Sequence, residues 1–195
     1  MAKLNNDEPG VDKGDKMKVN VCKTPMEYPD ELGELRDANA LLGDAEALGE
    51  RMTEDGYLLI RGFHPRSEVL AARERILAEM EKRGITAGQH KAMKEIAATP
   101  EVMSVLESPR LFRFFEAYFG EPALTFSEKW LRAVDHGKYT GLHYDNVYMG
   151  RGSDKLHTVW TPFGDLPMEM GTLAICVGSH TRRFQKLIET YGKSD

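Results

Sequence analysis

The chain has 195 residues, of which 41% are hydrophobic and 29% charged, and a formal net charge of −5. That length suits one domain with a sizeable core, or one domain with an arm. The acidic balance and dispersed Lys and Arg argue against a nucleic-acid interface, which needs a basic face, and no apolar run approaches the roughly 18 residues of a membrane span. Two cysteines, Cys22 and Cys176, cannot build a disulfide scaffold or a cysteine-based metal site. With no hydrophobic secretion signal over Met1–Asp30, a reducing cytoplasm is the expected compartment.

Met1 to Tyr28 is rich in Lys, Asp, Asn and Gly and shows no apolar period, so residues 1–28 read as a flexible arm and 29–195 as the domain. Asp30–Leu42 is weakly helical. Asp44 can cap a helix running to about Asp55, with Leu48 and Met52 on one face and Gly56 as the stop. Tyr57–Ile60 reads as a short apolar strand. The strongest helical pattern follows, from about Ser67 to Arg83: Val69, Ala72, Ile76 and Met80 keep the 3.6-residue period and Gly84 ends it. Gly84–Ala98 reads as a loop with a short helix, and Pro100–Val105 and Leu111–Phe119 as two further short helices. Beyond Pro122 the texture changes to strand-like runs, at 123–127, 130–134, 139–144, 156–160 and 172–177, separated by turns rich in Gly, Pro and Asp. Thr181–Tyr191 reads as a terminal helix. Helices first and strands second indicate an α+β fold with a sheet or barrel core.

The chemistry centres on His143-Tyr144-Asp145. On a strand, residues i and i+2 project from one face, which would set an imidazole beside a carboxylate. Those are two thirds of the facial triad of a non-haem Fe(II) oxygenase, which keeps open positions for co-substrate and O₂. His157, before Trp160-Thr161-Pro162, is either a further ligand or a side chain hydrogen-bonded on the sheet surface. His180, in Gly178-Ser179-His180, is the histidine well downstream of the triplet and a candidate third metal ligand, though Gly-Ser-His also suits a turn and helix start. Lys129 and Arg132, flanking Trp130, either hold the carboxylate of an acidic co-substrate or form an exposed charged rim.

Taken in order, these residues resemble the phytanoyl-CoA dioxygenase family of Fe(II)- and 2-oxoglutarate-dependent oxygenases. The match runs from Glu54-Asp55-Gly56-Tyr57-Leu58-Leu59-Ile60-Arg61-Gly62 through Pro109-Arg110-Leu111 and Phe119-Gly120. It is densest over Lys129-Trp130-Leu131-Arg132, His143-Tyr144-Asp145, Trp160-Thr161-Pro162, Met170-Gly171-Thr172-Leu173 and Gly178-Ser179-His180. The resemblance implies a double-stranded β-helix, or jelly roll, packed against N-terminal helices. It implies Fe(II) held by His143 and Asp145, and a co-substrate pocket lined by Trp160. It also implies that Gly-Ser-His is a structural corner more often than a source of the third ligand. Family members continue past that corner to a distal iron-binding histidine and a 2-oxoglutarate-binding arginine, neither of which has a counterpart before Asp195. The expectation is therefore a partial jelly roll: a fragment, a truncated product or a domain completed by a partner, with oligomer formation through an exposed sheet edge.

The functional expectation is a dioxygenase that uses Fe(II), 2-oxoglutarate and O₂ to hydroxylate a small organic substrate. Related halogenases lack the carboxylate at the position of Asp145, which favours hydroxylation. The alternative is a non-catalytic, pseudoenzyme or binding form without the distal His and Arg.

Overall fold

The computed structural model describes residues 16–149 and 152–181, and the chain divides into two units at Leu35/Arg36. In the first unit, β1 (Met17–Val21) and β2 (Thr24–Tyr28) form an antiparallel hairpin, with Met17 opposite Tyr28 and Val21 opposite Thr24. Residues 17–28 thus carry regular structure where the sequence reading has an arm without any. The two turn residues, Cys22 and Lys23, both have positive φ, 49° and 74°. Two-residue hairpin turns require that conformation and usually recruit Asn or Gly for it, so these side chains hid the turn.

The second unit is built on helices. Asp44 caps α1 (Ala45–Asp55) by accepting from the Ala47 amide at 3.0 Å, and Gly56 closes it in the left-handed conformation. The predicted strand at Tyr57–Ile60 is reduced to a single parallel bridge between Asp37 and Leu59. Then α2 (Arg66–Arg83) ends at Gly84, whose left-handed turn lets the Ile85 amide reach back to the Met80 carbonyl at 2.8 Å. Three shorter helices follow, α3 (His90–Ala97), α4 (Pro100–Leu106) and α5 (Pro109–Phe119). Pro100 and Pro109 occupy first-turn positions, where the missing N–H costs no hydrogen bond.

The dry core lies between α2, α3 and α4. Ala72 and Ile76 of α2 meet Met93 and Ile96 of α3 and Val102 and Val105 of α4. Leu131, Ala133 and Phe163 from the later part of the chain pack onto the same cluster. Leu131 and Ala133 alternate, as the period-2 pattern of 130–134 requires. At the rim, the carboxylate of Glu79 is almost fully buried and held by Arg83 Nε at 2.8 Å and Arg75 Nη2 at 3.2 Å. The hydrogen bond from Arg83, with the charges of Arg75, Lys82 and Arg83, keeps it below the usual carboxylate range despite its burial.

The mixture of helices with a two-stranded sheet is an α+β fold. Among the described residues, none of the runs at 123–127, 130–134, 139–144, 156–160 and 172–177 forms a ladder; they follow irregular backbone over the helical platform. An apolar run becomes a strand only when another segment offers register and cross-strand partners. Much apolar surface stays open here, including Leu124 at 97% and Leu142 at 67% exposure. Two short helical pieces interrupt the region, α6 (Asp145–Met149) and a 3-10 turn over Met168–Met170. The predicted terminal helix lies, apart from Thr181, outside the described residues.

Two outcomes test this packing. Ile96 is fully buried, so Ile96→Ala should cost about 2–5 kcal/mol in urea unfolding, while Leu124→Ala should cost far less. Glu79 has its carboxyl pKa depressed by folding, so its contribution is present above the ordinary glutamate value and disappears as pH falls through the folded value. Glu79→Gln should flatten the acid limb of a stability–pH curve, and an unchanged limb would remove Glu79 from that account.

Candidate metal centre

Two segments of irregular chain carry the site, and both are tethered to the helices. The first starts at Lys129, whose ammonium bonds Glu107 just past α4 at 2.7 Å and also the Phe126 carbonyl. It is then pinned by Leu131 and Ala133 in the core. The second is pinned by His157, packed among Phe115, Tyr118 and Phe119 of α5 with ring centroids 6.0, 5.5 and 5.2 Å away. Burial in this cluster also raises the Tyr118 phenol above its ordinary value. Lys155 adds an ion pair to Glu121 at 2.6 Å. These tethers bring 141–145 beside Thr158.

The His143 Nδ1–H donates to the Gly141 carbonyl at 2.7 Å. That bond fixes the ring and turns Nε2 towards Asp145 Oδ1, 3.1 Å away. The other carboxylate oxygen, Oδ2, accepts from the Thr158 hydroxyl at 2.7 Å. In the neutral ring Nε2 carries a lone pair, so two acceptors face each other across 3.1 Å. A proton or a cation between them relieves that repulsion. The arrangement suits a metal. Imidazole and carboxylate are the donor types that Fe(II) takes in oxygenases. The 3.1 Å separation is small enough for one cation to contact both atoms. The outer atoms of both side chains are held by a backbone carbonyl and a hydroxyl, the kind of support that metal-ligating residues receive. Side-chain exposures of 39% and 38% leave the pair open to an incoming ion and substrate.

The local backbone differs from the predicted strand. His143 sits in a loop and Asp145 is the first residue of α6, so the two side chains converge through a loop-to-helix turn and not through strand alternation. Thr158 was missed by the sequence reading. It stands two residues before Trp160, which the resemblance assigns to the co-substrate pocket, so strand alternation applied from Trp160 could have drawn in Thr158 as well. Trp160 itself is 49% exposed. Arg132 donates to Thr140 Oγ1 at 3.2 Å, next to the Gly141–Asp145 loop, whereas the Lys129 ammonium is engaged by Glu107. The His157 ring lies on α5 and its Nδ1–H donates to the Lys155 carbonyl at 2.8 Å. The His180 Nε2–H donates to the Thr53 carbonyl at 3.1 Å, over the end of α1. Among the described residues no third His, Cys, Asp or Glu joins His143 and Asp145 in a metal-holding group.

The family model for phytanoyl-CoA dioxygenase matches residues 52–191, well over half of the chain. The chain belongs to the phytanoyl-CoA dioxygenase family, whose oxygenase chemistry generally depends on Fe(II) and 2-oxoglutarate. No match was found among curated proteins or among solved structures. Among the described residues no helix is long and apolar enough to cross a membrane.

If Thr158 orients Asp145 for a metal, Thr158→Val should weaken Co(II) binding about tenfold, and Thr158→Ser should restore most of it. Equal affinity in the three proteins would reduce Thr158 to a bystander.

Proposed function

We propose that this chain is an Fe(II)- and 2-oxoglutarate-dependent dioxygenase that hydroxylates a small organic substrate, and that its C-terminal part follows the jelly-roll plan of the family. The observation that carries the reading is the facing pair of His143 Nε2 and Asp145 Oδ1, 3.1 Å apart, with the outer atom of each ligand already held. The alternation of Leu131 and Ala133 against the core supports the jelly-roll part.

His143 and Asp145 would hold the iron as the two protein donors that the site brings together. Iron supplies, when bound, the oxidising centre at which 2-oxoglutarate and O₂ react. The bond from the His143 Nδ1–H to Gly141 keeps Nε2 available as a donor. Thr158 holds the second oxygen of Asp145, which favours binding through Oδ1. The Asp145 carboxylate would stand where the related halogenases lack one and admit halide, so the reading is hydroxylation. Trp160, on the same segment as Thr158, is assigned to the co-substrate pocket. Of the two cations flanking Trp130, Arg132 is the better candidate for the co-substrate carboxylate, since Lys129 is neutralised by Glu107.

The test is succinate release from 2-oxoglutarate by the 195-residue chain with Fe(II) and O₂. Iron-dependent release that falls to background in His143→Ala and in Asp145→Ala is the expected result. Release that survives both substitutions would overturn the assignment, and no release from the parent chain would favour the non-catalytic alternative.

A further inference from the structure

Tyr144 sits between the two donors in the chain, and its phenol reaches to a distant segment. The hydroxyl, partly buried, donates to the Ser179 carbonyl at 3.1 Å, 35 residues along the chain. Ser179 belongs to a tight turn. Its amide bonds the Cys176 carbonyl at 3.1 Å, and the Thr181 amide and hydroxyl both bond the Gly178 carbonyl, at 3.1 and 2.8 Å. Gly178 enters the turn at φ 80°, where a side chain would be strained.

The next residue anchors that turn to the helical platform. His180 donates from Nε2 to the Thr53 carbonyl at 3.1 Å, one of the carbonyls left open at the C-terminal end of α1. Its ring lies on Gly56, so closely that a Cβ on residue 56 would overlap the imidazole. Gly56 is thus required twice, for its left-handed φ of 78° and for the space that His180 fills. The links run from the end of α1 through His180 and Ser179 to the Tyr144 hydroxyl, and so to the backbone joining His143 and Asp145.

Packing alone does not need that hydroxyl, because a phenylalanine fills nearly the same volume. From this we infer that Tyr144 is a positioning residue for the His143–Asp145 pair, anchored through the Gly178-Ser179-His180 turn to the C-terminal end of α1. The inference rests on the reading of His143 and Asp145 as metal donors. It assigns the Gly-Ser-His corner a task at the metal centre without making His180 a ligand. It also makes Gly56, on a different element, a determinant of metal affinity.

The experiment uses the 195-residue chain, with Co(II) as the probe, and compares Tyr144→Phe, Gly56→Ala, the double variant, and His143→Ala combined with Asp145→Ala. Co(II) affinity and its d–d absorption are read together with the imidazole ¹⁵N signals of His143 in the metal-free protein. Tyr144→Phe should weaken Co(II) about tenfold, change the absorption band and move the His143 ring signals. Gly56→Ala should act in the same direction, and the double variant should be less affected than the product of the two single effects. Circular dichroism separates this from unfolding, and Tyr144→Phe, which adds no bulk, decides the matter if Gly56→Ala fails to fold. Co(II) binding that needs His143 and Asp145 but ignores Tyr144→Phe overturns this inference alone. Binding that survives loss of both donors overturns the reading beneath it as well.

Discussion

The interlock of α2 with α3 and α4, over Ile76, Met93, Ile96, Val102 and Val105, is what the rest of the second unit depends on. Almost all of the fully dry packing lies there, so it is the rigid body from which later segments take their positions. The chain after Phe119 has little regular structure of its own among the described residues, and it is located by discrete tethers. Leu131, Ala133 and Phe163 dock on the core, Lys129 pairs with Glu107, and His157 packs on the aromatic face of α5. Each tether is modest in energy, and together they fix two segments so that residues 141–145 and Thr158 come within hydrogen-bond range.

At that meeting point the governing effect is electrostatic. A carbonyl orients the imidazole and a hydroxyl orients the carboxylate, which leaves two electron-rich atoms facing each other in a solvent-accessible setting. Held apart, such a pair would be hydrated; held together, a proton or a cation between the two atoms relieves their repulsion. The family is generally Fe(II)-dependent, and the local geometry shows which atoms face each other here.

What the sequence made legible was local. Asp44 and Gly56 bounding α1, the Val69–Met80 stripe and Gly84 of α2, and the prolines opening α4 and α5 are all signals read within a few residues. The ordered set of motifs from Glu54 to His180 was equally readable, and it pointed to the family that the chain belongs to. What stayed hidden depends on distant partners. The hairpin at 17–28 turns on Cys22 and Lys23, which do not advertise a positive φ. The strand-like runs beyond Pro122 carry the right alternation, but pairing is decided by neighbours and not by the run itself. His157 packing on α5, Thr158 reaching Asp145, and His180 closing over Gly56 are contacts between segments far apart in sequence.

The central claim is that His143 and Asp145, backed by Gly141 and Thr158, form the metal-binding locus. Paramagnetic relaxation tests it directly on the unaltered chain, by adding Mn(II) in substoichiometric amounts and following the backbone and side-chain NMR signals. The account predicts that the resonances of Gly141, His143, Asp145 and Thr158 broaden first and together, while those of Ile96 and Val105 in the core stay sharp. Early broadening centred on any other group of residues, with the His143 and Asp145 signals unaffected, would contradict it.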